Sequence, residues 1–397
     1  MNESRLKSAV KETHLPLFFI CLACSAMGLI SVTSATLRNN EAGQLFGRES
    51  IVMAAAVGAG IVACLLISFM DYEVLTRKWF IVAIAVFCVG IMLSLKVIGA
   101  APADRPDAKI WIQVGGIYLQ PSELVKLGFI LSFAAHLNAV GKEINKPRQL
   151  LPLLIHGGIY IGLVTITGDM GSALVFLAIF GGLLFMAGVK WYYFAGAALL
   201  ALAAMPVAWL KVFNAFQKER FIAVYPRFFA LLGQTISDEA YNTVIYQQQM
   251  GVNAISGGGL TGQGLFTGEY TQSGAVPVNE SDMIFSVVGE EMGFLGAAAL
   301  FLLLAAVVVC CALAGRKSRD ETGKLICAGV ALMVGVQAII NIGMCLKFLP
   351  CIGITLPFIS AGGSSNLSVW LGIGLVMSVF RHSYEHGPSR VRFIKRF

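Results

Sequence analysis

The sequence predicts an all-α polytopic membrane protein, with about ten transmembrane helices and a large loop between the seventh and eighth. Three observations carry this. Of 397 residues, 57% are hydrophobic and 13% charged, with a mean hydropathy of +0.77. Soluble domains carry about 25% charged residues, so lipid is the solvent for most of this chain. About ten apolar runs are long enough to cross a bilayer, which takes roughly 20 helical residues each. Basic residues crowd into alternate, shorter connections.

The spans fall near 15–33, 51–69, 80–97, 122–137, 151–165, 171–188, 191–210, 283–314, 325–346 and 367–380. The fourth and fifth are short, and the eighth is long enough to tilt or protrude. Segments 5–11, 77–78, 142–148, 190, 316–324 and 381–396 carry 18 of the 29 Lys and Arg residues. The positive-inside rule makes that side cytoplasmic, with both termini on it. Segment 211–282 then faces out, as do Arg48, Lys109, Glu123, Asp169 and Ser364.

The expectation is a single membrane domain over 1–397. It comprises a cytoplasmic N-terminus (1–14), the large extracytoplasmic loop (211–282) and a basic cytoplasmic tail (381–397). No polar stretch is long enough to bury its own core. The net charge of +7 does not signal nucleic acid, because its distribution follows membrane topology. The first apolar run reads as a retained helix, since no clear cleavage site follows it.

Eight of the nine cysteines lie in apolar runs, and Cys351 lies in a loop. Cys21 and Cys24 have CxxC spacing, but inside a hydrophobic helix, where thiols pack as small apolar groups. The glycine-rich stretch Ser256–Gly264 lacks the lysine and the preceding strand of a phosphate-binding loop. It reads as a tight loop whose glycines allow close approach of a ligand or membrane.

The chemistry concentrates where polar loops meet apolar helices. Asp282 sits in Asn279-Glu280-Ser281-Asp282-Met283, at the hydrocarbon boundary, where a carboxylate is costly unless it has a role. Glu290 and Glu291 follow on the same helix. Gln120-Pro121-Ser122-Glu123 opens the fourth span, and Pro121 suits a helix start. Glu123 and Lys126 share a helix face and can pair, either as a simple ion pair or as a substrate contact. Asp169 is placed to cap the sixth helix.

Gln217-Lys218-Glu219-Arg220 opens an amphipathic region with Phe213, Phe216, Phe221 and Phe228, suited to the membrane interface. Lys218 and Arg220 could there meet pyrophosphate, for which arginine has the bidentate fork. The run Leu356-Pro357-Phe358 through Gly362-Gly363-Ser364-Ser365 breaks the helix at membrane depth. Such backbone is tolerated only where protein covers it or it lines a cavity. No histidine falls on the outward side, so acid–base chemistry there rests on carboxylates. Asp282, nearer the hydrocarbon than Glu280, is the better-tuned base.

In this order, these segments resemble the shape, elongation, division and sporulation (SEDS) family of bacterial membrane proteins, typified by RodA, FtsW and SpoVE. Four motifs carry the resemblance: Gln120–Glu123 with Lys126, Gly168–Gly171, Asn279–Gly293, and Leu356–Phe358 through Gly362–Ser365. It covers nearly the whole chain. The chain departs from the family in Glu280-Ser281 before the aspartate, in Ile110 before Trp111, and in Ala361 before the paired glycines.

The resemblance implies a ten-helix bundle that polymerises lipid II into glycan strands in elongation, division or sporulation. The implied partners are a class B penicillin-binding transpeptidase and other elongasome or divisome membrane proteins. Asp282 falls on the family's essential aspartate. Glu123, Lys126 and Asp169 fall on its functional positions, and Arg48 on an outer-loop arginine. The implied site is the outward face of the plasma membrane.

Lipid II carries an α-linked pyrophosphate and the product linkage is β-1,4. One inverting displacement of undecaprenyl pyrophosphate therefore suffices, with Asp282 as general base on the acceptor hydroxyl. Lys126, Arg220, Arg48 or a divalent ion would meet the departing charge, and no cofactor is obligatory. Two other classes stay open: a flippase for lipid-linked precursors and a non-catalytic scaffold of the cell-wall machinery.

Overall fold

The computed structural model describes residues 14–40, 44–101, 108–211, 213 and 215–384. The basic N-terminal segment up to residue 13 and the tail from residue 385 lie outside the described residues. Nine helices among the described residues are long and apolar enough to cross a membrane, and Met170–Met186 is a shorter apolar tenth. The chain is a multi-pass membrane protein.

In chain order the first helices are α1 (Leu15–Thr36), α2 (Arg48–Phe69), α3 (Lys78–Ile98), α4 (Pro121–Val140), α5 (Pro147–Ile166), α6 (Met170–Met186) and α7 (Trp191–Lys211). Prolines open α4 and α5, where the missing N–H costs nothing. These two were expected to be short, yet each has 20 residues. Their polar ends had read as loop. α4 is mostly buried within the bundle, whereas α5 buries only one face, and both are helical through those ends.

Between α3 and α4 lies a feature that the apolar pattern did not announce. Ile112–Val114 and Ile117–Leu119 (β1 and β2) pair antiparallel across Gly115-Gly116. Both glycines have left-handed φ, +57° and +82°, as a two-residue hairpin turn requires.

The segment expected as a large loop is mostly helical. It holds α8 (Ala215–Val224), α9 (Pro226–Leu231), α10 (Asp238–Gly257) and α11 (Glu269–Ser273). Its aromatic residues gather on the end of α7: Phe229 stacks on Trp209 at 4.9 Å, and Phe213 lies 5.7 Å from it.

The expected long eighth span is broken in two, α12 (Ile284–Glu291) and α13 (Gly293–Arg316). Gly293 takes a left-handed φ of +65° at the break. There the Phe294 and Leu295 amides donate to the carbonyls of Gly259 and Leu260, at 2.9 and 3.1 Å. The glycine-rich stretch thus approaches the chain's own backbone. A Cβ on Gly262 would stand 2.1 Å from the Glu291 carbonyl oxygen.

The last helices are α14 (Glu321–Cys345) and α15 (Gly363–Tyr384). Together with α4 they form the buried centre, and α15 packs along α2. By contrast, α7 has no buried residue.

Candidate active site

Asp282 lies in a turn just before α12, and its surroundings are backbone clamps. Asn341 of α14 donates to the Asp282 carbonyl at 2.8 Å and to the Ile354 carbonyl at 2.7 Å. The Ser360 hydroxyl donates to the Ser281 carbonyl at 2.7 Å, and the Ala361 amide to the Glu280 carbonyl at 2.8 Å. The Pro-Gly connection between α14 and α15 therefore holds the Asp282 turn from the other side.

The carboxylate itself is half-buried. Burial pushes it up to about 6, and the nearby charges of Glu280 and Asp169 push the same way. The Ser281 hydroxyl, 3.4 Å away, and Arg220 pull it back. The result is a base able to titrate near neutral pH. It faces Gly353, where a Cβ would stand 3.4 Å from Asp282 Oδ2.

Beyond Gly353 lies the fourth-helix pair. Lys126 Nζ meets Glu123 Oε1 at 2.8 Å, with both side chains buried. Gln337 of α14, its amide turned to suit its neighbours, accepts from Lys126 Nζ at 2.8 Å. Among the described residues, Glu123 Oε2 has no hydrogen-bond partner. It borders a small polar pocket shared with Gln120, Ser172, Gly353 and Thr355, with room for about one water.

Asp169 caps α6, accepting from the Ser172 amide at 2.9 Å. Its other oxygen accepts from Gln120 Nε2 at 2.7 Å and from the Ser122 hydroxyl at 3.0 Å. It thereby ties α6 to the start of α4. Ser364 accepts from the Gln120 amide at 3.1 Å, and Ser365 bonds Thr355 at 2.9 Å. Glu123, Lys126, Asp169, Ser364, Ser365 and Asp282 thus meet at one end of the bundle.

The remaining cations differ in placement. Arg220 of α8 donates to the Cys351 carbonyl and is close enough to act on the Asp282 carboxylate. Lys218, two positions earlier, is half-buried and points to another side of α8, since residues two apart do not share a face. Arg48 donates to the Gly116 carbonyl, joining α2 to the hairpin.

Glu290 and Glu291 are consumed by structure. Glu290 accepts from the Tyr270 amide (2.7 Å), the Thr271 amide (2.9 Å) and the Thr271 hydroxyl (2.6 Å). Glu291 accepts from the Ser34 hydroxyl at 2.5 Å. Glu290→Ala would orphan three donors, at a cost of at least about 3 kcal/mol. A lower unfolding temperature and protease cleavage within 258–273 are the expected result; unchanged melting would refute this structural role.

A sequence profile described as "Cell cycle protein", covering FtsW, RodA and SpoVE, matches residues 14–385. The chain belongs to that family. Two relatives in the FtsW/RodA/SpoVE family are named probable peptidoglycan glycosyltransferase FtsW. The protein from Coxiella burnetii is 30% identical over 386 residues, covering 94% of this chain and 98% of the relative. The one from Trichlorobacter lovleyi is 28% identical over 377 residues, 93% of each chain. A solved structure, described as "Structural coordination of polymerization and crosslinking by a peptidoglycan synthase complex", superposes with a TM-score of 0.77. It is 25% identical and covers 94% of this chain and 99% of that one.

Sequence reasoning had not singled out Asn341, Gln337 or Gly353 in this FtsW/RodA/SpoVE chain. The two amides lie inside the apolar run of α14, where a polar residue needs a buried partner. That signal was available in the sequence; the identity of their partners was not.

Proposed function

We propose that the chain is a peptidoglycan glycosyltransferase that polymerises lipid II by inverting displacement of undecaprenyl pyrophosphate. The observation that carries this reading is Asp282: a half-buried carboxylate raised to about 6, clamped by its own backbone, beside a buried Glu–Lys pair. The family names support the same reaction class.

Asp282 takes the proton of the acceptor hydroxyl as the new β-1,4 bond forms. Arg220, tethered to the Cys351 carbonyl, and Lys126 meet the charge that develops on the pyrophosphate. Asp169 and Gln120 position α4 against α6. A divalent ion is a further candidate for meeting the pyrophosphate charge.

In this reading the Asp282 end faces outward and both termini are cytoplasmic, on the distribution of basic residues. The partner is a class B penicillin-binding transpeptidase, in keeping with the description of the synthase complex that this fold resembles.

The test is polymerisation of labelled lipid II by the purified protein in detergent, with and without that transpeptidase. Polymer is expected although no second leaflet exists. In proteoliposomes, consumption of outward-presented lipid II without faster transbilayer exchange is expected. Rapid exchange without polymer, retained when Asp282 is replaced, would establish a transporter instead.

A further inference from the structure

The last turn of α14 ends in a motif that usually takes glycine, and here it takes lysine. The Phe348 amide donates to the Gly343 carbonyl at 2.8 Å, and the Lys347 amide to the Met344 carbonyl at 3.1 Å. These are the paired bonds of a Schellman helix end. Lys347 occupies its left-handed position, with φ +60°. A side chain strains the backbone there, so glycine or asparagine normally fills it. Strain of this kind persists where the surroundings over-determine it, and it clusters at binding and catalytic sites.

The ammonium is held across the turn by α10. Lys347 Nζ donates to Gln249 Oε1 at 3.1 Å and lies 6.0 Å from the centre of the Tyr241 ring. The side chain stays partly exposed.

This turn borders the Asp282 site. Cys345, two residues before the lysine, places its Sγ 3.6 Å from the Asp282 carbonyl. Cys351, four residues after it, accepts from Arg220. Four residues span at most about 15 Å. Buried Gln248 fixes the intervening backbone, donating to the Met344 and Leu349 carbonyls at 2.8 and 2.7 Å. Lys347 and the Cys351 carbonyl that holds Arg220 therefore belong to one turn fixed by Gln248, and Arg220 acts on the Asp282 carboxylate, which alone would repel an anionic substrate.

We propose that Lys347, with Arg220, forms a binding site for the pyrophosphate of a polyprenyl-linked substrate. The inference rests on the glycosyltransferase reading. Lysine suits the role as a compact charge with three donors, of which Gln249 occupies one. A purely structural lysine, set against the helix dipole and latched by Gln249, is the competing account. It predicts the opposite sign for stability.

The test uses the full chain in nanodiscs of zwitterionic lipid, with undecaprenyl pyrophosphate as a non-reacting probe. Lys347→Gly should raise the unfolding temperature, because the strain is relieved, and weaken probe binding about tenfold, the loss of one charge-assisted contact. Lys347→Met should weaken binding equally with no gain in unfolding temperature, and Lys347→Arg should bind as wild type does.

Wild-type binding by both the Gly and Met variants overturns the proposal. So does a lower unfolding temperature for the Gly variant, a wild type that fails to bind the probe, or an effect confined to nanodiscs containing anionic phospholipid. Because binding needs no turnover, its failure is separable from failure of the reaction. A wild type that binds the probe but makes no polymer keeps this site and refutes the glycosyltransferase reading. Polymer from wild type with unchanged binding by the Met variant does the reverse.

Discussion

Asp282→Asn should abolish glycan polymerisation while making the protein harder to melt at neutral pH. The lost general base accounts for a rate factor on the order of 10²–10⁴. The gain in stability follows from the raised pKa. The fold favours the protonated carboxyl, so the stability it gives is whole below the ordinary value of 3.8 and is lost as pH rises through about 6. Asparagine, neutral at every pH, escapes that loss. Its advantage at pH 7.5 should be roughly 1–3 kcal/mol and should shrink toward zero near pH 4. Wild-type polymerisation should itself rise with pH through about 6. Polymer from Asp282→Asn at a rate near wild type would transfer the role to Glu280.

The second large effect is expected at the Glu123–Lys126 pair. Glu123→Gln or Lys126→Met leaves the other charge buried and uncompensated, which typically costs 3–5 kcal/mol. Each single variant should lose most activity and melt earlier. The double variant separates structure from chemistry. With both charges gone, stability should largely return, because no uncompensated ion remains. Polymerisation should stay lost if Lys126 meets the substrate's charge. A double variant that regains both stability and polymer would reduce the pair to a structural tie.

Much of the fold was legible in the sequence because lipid enforces it. Every backbone polar group in hydrocarbon must be bonded within its own helix, so the apolar runs map onto helices. The hairpin 112–119 was hidden because its strands are only three residues each. The break at Gly293 was hidden because hydropathy is continuous across it. The glycine-rich stretch makes the break tolerable: the Gly259 and Leu260 carbonyls satisfy the freed amides, and the Gln263 and Gly264 amides satisfy the Glu290 and Glu291 carbonyls.

The site was legible in part for a related reason. Asp282, Glu123, Lys126 and Asp169 are ionisable residues at helix ends of a lipid-embedded chain, and such groups stand out. Which of them touch could not be read. Glu290 and Glu291 looked as promising as Asp282. What separates them is the set of donors around 268–272, which claims both carboxylates before a substrate could.

The broken helix also bears on how the protein meets membranes of different composition. The Asp282 turn and α12 form a splint fixed at both ends: by Asn341 and Ser360 at the start, and by Glu290 and Glu291 at the finish. The lipid-spanning α13 begins only after Gly293. A thicker or thinner bilayer is met by tilting spans, at fractions of a kcal/mol per Å of mismatch. Here the first turn of α13 is tied to Gly259 and Leu260 along with the splint, which leaves the tilting to the rest of α13. The carboxylate's position is thereby insulated from acyl-chain length, and catalysis should tolerate lipids that visibly change the tilt of the helix beside it.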